Sequence, residues 1–133
     1  MWQAHYGRLV PLIRQLLHIL MQSQELKALY IKFENDGRDY NVTADSGKAR
    51  QVINNLVDNS IKYTKQGGIT IKISENKDQE KVLLEIHDTG MGIPAAVMPK
   101  LFQKFSRAAE AGKANIMGTG IGLFIAKQIM LAH

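Results

Sequence analysis

From Leu9 to Leu20, apolar side chains at Leu9, Leu12, Ile13, Leu16, Leu17 and Leu20 recur at three- and four-residue steps, the period of an amphipathic helix with one buried stripe. The pattern then changes. Ala28 to Glu34 alternates in part and runs into the turn signal Asn35-Asp36-Gly37 before a short extended run at Tyr40 to Thr43, which predicts a hairpin-like pair of strands. Asp45 or Ser46 can cap a helix reaching about Tyr63, because either side-chain oxygen can accept from a free amide of the first turn. Gly67-Gly68 closes that helical region. Ile69 to Ser74 and Val82 to Asp88 are β-rich runs joined across the polar stretch Glu75 to Lys81, a second hairpin. Ile93 to Met117 carries Pro94, Pro99, Gly112 and an alanine-rich Ala108 to Ala114 segment, and only Val97 to Phe105 reads as helical. A connection of roughly 25 residues inside a compact domain suggests a mobile lid. Gly118 to Gly122 then opens a last helix through Leu131.

The 133 residues fit one domain, residues 1–133, with no internal repeat and no second boundary. No run approaches the ~20 apolar residues of a bilayer-spanning helix, and the segment Met1 to Val10 lacks the apolar core of a secretory signal. The absence of cysteine removes disulfides and thiolate metal ligands and suits a reducing, cytoplasmic compartment. A net charge of +5 raises the question of nucleic acid. Lysines and arginines are nevertheless scattered from Arg8 to Lys127 among 12 acids, with no stripe that joins them to stacking aromatics, so the expectation is no nucleic-acid binding.

Three stretches carry candidate chemistry. On the helix after Asp45, rotation by ~100° per residue puts Ala49, Val52, Ile53, Leu56, Val57 and Ser60 on a core face. Asn55, Asn59, Lys62 and Tyr63 share a neighbouring arc, one wall of a pocket. Amide oxygens suit magnesium beside phosphate oxygens and water, a lysine ammonium meets phosphate charge, and a tyrosine ring can cover a base. The same asparagines would also be ordinary on an exposed helical edge.

The second stretch is DTGMGI, Asp88 to Ile93, where strand alternation aims the Asp88 carboxylate inward with Val82, Leu84 and Ile86. An inward carboxylate needs donors, and the exocyclic amine of adenine is one. Gly90 and Gly92 would allow a sharp turn and a close approach to a ligand, although a plain turn after a strand has the same look. The third is Gly118-Thr119-Gly120-Ile121-Gly122-Leu123, glycines at a helix start whose exposed amides favour phosphate oxygens. No Lys-Ser/Thr follows it and no strand directly precedes it, which excludes a Walker loop and a dinucleotide fingerprint.

Taken in order, NNLVDNSIKYT, DTGMGI, LFQKFSRA and GTGIGL resemble the four ATP-site boxes of sensor histidine kinases, within the gyrase, Hsp90, histidine kinase and MutL superfamily. The match runs from about Leu9 to His133. The resemblance implies an α+β fold, a two-layer α/β sandwich of Bergerat type with a mixed sheet on about three helices and a mobile ATP lid. It implies that Asn59 coordinates magnesium, that Asn55 and Lys62 line the phosphates, and that Tyr63 packs near the base. Asp88 would read the adenine amine, and Gly90, Gly92 and Ile93 would shape the adenine pocket. Gly118, Thr119, Gly120, Ile121 and Gly122 would hold phosphates at the lid hinge, with Leu123 beneath. Phe102 and Phe105 match the lid phenylalanines, and Arg107 stands where a cation can face the terminal phosphate.

In the superfamily's ATPases a glutamate four residues before the magnesium asparagine activates water, and here that position is Asn55. An amide is no general base near neutral pH, whereas a neutral imidazole acceptor already presents a lone pair, so the substitution favours phosphotransfer to histidine. The resemblance thus implies magnesium-ATP as substrate, a phosphoacceptor helical hairpin as partner and a response regulator downstream, in two-component signalling. The competing reading is an ATPase-like or degenerate nucleotide-binding scaffold. His5, His18, His87 and His133 lack the setting of a phosphoacceptor, which is expected on another part of a parent protein that itself can be membrane-anchored. Family members usually continue past the His133 position with two more strands. A sheet without that last hairpin would expose apolar surface and unpaired backbone, which predicts lowered stability, self-association or strand borrowing between copies.

Overall fold

The computed structural model describes residues 5–22, 29–103 and 122–133. Within them the order is β1 (His5–Arg8), α1 (Leu9–Met21), β2 (Leu29–Glu34), β3 (Asn41–Ala44), α2 (Ser46–Lys62), β4 (Gly67–Asn76), β5 (Lys81–Asp88) and α3 (Gly122–Ala132), with single 3-10 turns at Lys77–Gln79 and Met98–Lys100. Three helices and a mixed, open sheet make an α+β fold, as the motifs implied.

The centre of the sheet is β4. It pairs in parallel with β2, Phe33 opposite Ile71, and antiparallel with β5, Ile71 opposite Ile86. Its alternation buries Ile69, Ile71 and Ile73, which meet Ile13, Leu16 and Leu17 of α1 and Ile53 and Val57 of α2 in one core. The stripe expected on the first helix is thus the buried one. α2 begins where expected, because Asp45 Oδ1 accepts from Lys48 N at 3.0 Å. Its opposite shoulder, with Val52 buried and Leu56 half-buried, packs against Ala126 and Ile129 of α3 and fixes that helix beside it.

Two expectations need correction, one about strands and one about a helix. β2 and β3 do not form a hairpin: β2 lies beside β4, and β3 pairs antiparallel with β1, a strand the N-terminal residues did not announce. Ile31 and Phe33 of β2 pack on the core beside the isoleucines of β4, and the connection that follows is held to β4 as well. Asp36 accepts from Arg38 Nε at 2.6 Å and from the Tyr40 hydroxyl at 2.7 Å, while Arg38 Nη1 reaches Glu75 of β4 at 3.0 Å. This network draws the segment against β4 instead of folding it back on β2. The stretch expected as a helix from Val97 has only the Met98–Lys100 turn among the described residues, with Pro99 inside it, and its end at Phe105 lies outside them.

No helix among the described residues is long and apolar enough to cross a membrane.

The network also has a pH signature. Hydrogen bonds from Arg38 and then Tyr40 hold the Asp36 carboxyl at about 2, below its ordinary 3.8. A lowered native pKa gives stability that is complete above the unfolded value and is lost as pH falls towards the folded one. In urea unfolding, the wild-type advantage over Asp36→Asn should be constant above about pH 5 and shrink between about pH 4 and 2. An advantage that does not change with pH would show that the Asp36 charge is not held by this network.

Candidate functional site

The candidate wall on α2 is built as the helical period requires. Val52, Ile53, Val57 and Ser60 are buried, Ala49 and Leu56 are half-buried, and beside them Asn55, Asn59 and Tyr63 are half-buried. Lys62 is directed along the helix to Asp58, Nζ to Oδ2 3.1 Å. Asn55 reaches across to the last helix, its Nδ2 donating to the carbonyl of Gly122 at 3.3 Å. That bond joins the asparagine wall to the end of the glycine turn. Leu123 follows, half-buried in the first turn of α3.

The loop after β5 closes against the C-terminus of α2. Met91 N donates to the carbonyl of Tyr63 at 3.1 Å, and Thr89 N donates to Gly68 O at 3.1 Å. The Thr89 hydroxyl accepts from Gly68 N and donates to Gln66 O, both at 3.0 Å, so the loop is tied to the segment that enters β4. Between these ties sits Gly90. A β-carbon there would lie 2.5 Å from Tyr63 O, 2.8 Å from Thr64 Oγ1 and 2.9 Å from Asp88 Oδ1, contacts no side chain tolerates. Gly92 has φ +73°, in the left-handed region.

Asp88 departs from expectation. Val82, Leu84 and Ile86 pack on the core, but Asp88, next in the alternation, is exposed, and its Oδ1 accepts from Gly90 N at 2.9 Å. The strand ends at this residue, and the carboxylate turns back on its own loop as an Asx-type turn. Ile93 and Met91 beside it are 51% and 59% exposed, so the loop offers apolar surface next to a carboxylate. At the other side Phe102, 42% exposed, lies under the Lys127 ammonium of α3 at 5.7 Å from the ring centroid.

Asn55, Tyr63, Asp88, Gly90 and Gly122 are thus linked through two direct contacts between elements, with Asn59 and Lys62 on the same helix. Phe105, Arg107, Gly118, Thr119, Gly120 and Ile121 lie outside the described residues, as does the part of the expected lid beyond Gln103. Sequence reasoning passed over Thr64, Thr89 and Lys127. The two threonines stood inside the quoted motifs; only their partners across the fold show what they hold. A shallow groove lined by Arg14, Gln15, His18, Ile19 and Arg50 shares no residue with this set.

The family profile of histidine kinase-, DNA gyrase B- and HSP90-like ATPases matches residues 44–133, from the cap of α2 through the last helix. The chain belongs to this family. It is 32% identical over 127 residues to the sensor histidine kinase WalK of Bacillus subtilis, covering 93% of this chain and 21% of that protein. It is 34% identical over 136 residues to the sensor histidine kinase YkoH of the same organism, covering 98% and 29%. The chain therefore spans less than a third of the length of these relatives. The nucleotide-free catalytic domain of the histidine kinase ThkA superposes with a TM-score of 0.81 at 28% identity, covering 98% of this chain and 81% of that one. Full-length ShkA in complex with AMPPNP shares the fold, with a TM-score of 0.83 at 23% identity over 99% of this chain and 27% of that chain. The domain is an ATPase domain of the histidine kinase type.

Because a β-carbon at position 90 would collide with Tyr63 O and Thr64 Oγ1, Gly90→Ala should cost roughly 1–3 kcal/mol of stability. It should also speed amide exchange at Met91, measured by NMR, more than at Ile71. Unchanged exchange at Met91 would mean that the contact with Tyr63 O does not depend on the missing side chain.

Proposed function

We propose that residues 1–133 form a single catalytic domain that binds magnesium-ATP and donates the γ-phosphoryl group to a histidine on a separate helical hairpin, with a response regulator as the next acceptor and the cytoplasm as its compartment. What carries this reading is the meeting of motifs far apart in sequence: Asn55 with Gly122 and Tyr63 with Met91. The sensor kinases among the relatives support it at the level of the family.

In this reading Asp88 accepts from the adenine amine, with Gly90, Gly92 and Ile93 shaping the base pocket and Tyr63 flanking it. Asn55, Lys62 and Gly118 to Leu123 line the phosphates, and Phe102, Phe105 and Arg107 cover them. Magnesium fits the donor set because the wall supplies one hard amide oxygen, from Asn59, and leaves the remaining positions to phosphate and water. When bound, it would neutralise charge on the phosphates. No group of three or more acidic or histidine ligands exists among the described residues, in keeping with such a sparse protein contribution. In the transfer, the bond from the γ-phosphorus to the bridging oxygen breaks as a bond to the imidazole nitrogen forms, and ADP leaves. No side chain need remove a proton from the attacking nitrogen, so an amide at position 55 is no handicap.

Calorimetric titration with a non-hydrolysable ATP analogue and magnesium tests the site. Asp88→Asn and Asn59→Ala should each weaken binding by about ten-fold or more, Asn59→Ala only when magnesium is present. Equal binding by all three proteins would remove the site assignment. Transfer of labelled phosphate to a supplied phosphoacceptor hairpin, with slow release of free phosphate, is the expected activity; rapid hydrolysis without transfer would favour an ATPase.

A further inference from the structure

Thr64 is 4% exposed, and its Oγ1 is a buried oxygen with no hydrogen-bond partner among the described residues. Such a hydroxyl is costly to leave unmatched, and it lies beside the candidate base pocket. Three oxygens crowd the same flank of Gly90: Tyr63 O, Thr64 Oγ1 and Asp88 Oδ1. Two of them already accept from backbone amides, Tyr63 O from Met91 and Asp88 Oδ1 from Gly90. Only the Thr64 hydroxyl carries an unspent proton. Of its neighbours, the carboxylate is the stronger acceptor, because hydrogen bonds to an ionised group are shorter and roughly twice as strong as those to a carbonyl, and it has lone pairs in reserve.

We propose that Thr64 is a positioning residue for Asp88: after a side-chain rotation its hydroxyl donates to the Asp88 carboxylate, fixing one oxygen so that the other faces a ligand's exocyclic amine. This rests on the nucleotide reading above and adds to it a source of base selectivity. A carboxylate that accepts from Gly90 N and Thr64 presents only an acceptor oxygen to the ligand, so it takes a base with an amine at that edge and rejects one with a carbonyl oxygen there.

The test compares the chain with Thr64→Val, which keeps the shape and removes the hydroxyl, and with Thr64→Ser. Each is titrated with a non-hydrolysable ATP analogue and with the corresponding purine riboside triphosphate, which lacks the exocyclic amine. Thr64→Val should weaken the adenine nucleotide about ten-fold and leave the purine nucleotide unchanged, Thr64→Ser should restore binding to within about two-fold, and in an Asp88→Asn background Thr64→Val should cost nothing further. Equal loss for both nucleotides, no loss for either, or an undiminished loss beside Asp88→Asn would overturn the proposal. Exchange of the Thr64 hydroxyl proton with solvent is followed by NMR without nucleotide: slow in the wild type and fast in Asp88→Ala, which has no side-chain acceptor, supports the contact, and equal rates overturn it. If no nucleotide binds the wild type, the functional reading falls while this second measurement still decides the role of Thr64.

Discussion

The approach of the loop after β5 to the C-terminal end of α2, with no side chain between them, is the constraint on which the candidate site depends. The bond from Met91 N to Tyr63 O satisfies a carbonyl at a helix end, where the helix itself supplies no donor. It also sets the distance between the α2 wall and the Asp88 carboxylate. A side chain at position 90 would push three oxygens away at once, and the pocket would lose one edge. The Thr89 hydroxyl, bonded on both sides to the entry of β4, holds the same loop from below. Site geometry and fold closure are therefore the same set of contacts.

Everything behind that contact serves to make α2 rigid on two sides. Its inner face is locked by Ile53 and Val57 against the isoleucines of β4, and its flank by Val52 against Ala126 and Ile129 of α3. Burying aliphatic side chains in a closely packed interior leaves little room for rotation of the helix about its axis. The arc of Asn55, Asn59 and Tyr63, which neither layer covers fully, keeps its heading as a result. Since α3 begins at Gly122, the helix that secures the flank also delivers a backbone carbonyl to Asn55.

How much of this was legible in the sequence depends on the range of the contacts involved. The stripe of α1, the cap at Asp45, both faces of α2 and the β4–β5 hairpin follow from local periodicity and local hydrogen bonding, and each is where it was expected. The partners of β2 and β3 were not legible, because the turn signal Asn35-Asp36-Gly37 says that the chain bends and says nothing of where Ile31 and Phe33 meet the core, nor of Glu75, 37 residues beyond Arg38, to which the bend is tied. The inward aim of Asp88 failed for a related reason. Alternation describes a strand, and Asp88 is the residue at which the strand stops and its carboxylate becomes part of a turn. The family boxes were quoted together by resemblance, and the structure brings Tyr63 to the loop of Asp88 and Gly90 and brings Asn55 to Gly122, contacts at a range that periodicity does not reach. Thr64 escaped because its interest lies in a partner it does not have.

Position 55 shows how one choice of side chain meets two requirements. The Asn55 amide donates to Gly122 O across the gap between α2 and α3. A glutamate at the same place would be ionised near neutral pH and could only accept, so it would face the Gly122 carbonyl oxygen with like polarity and push the two helices apart. In the nucleotide reading proposed above, the same replacement would put a general base beside the phosphates and open a route for water. An amide avoids both consequences: it ties the glycine turn to the asparagine wall, and it leaves nothing at that position able to take a proton. The residue that joins α2 to α3 is thus, in the proposed reading, also the one that offers water no general base.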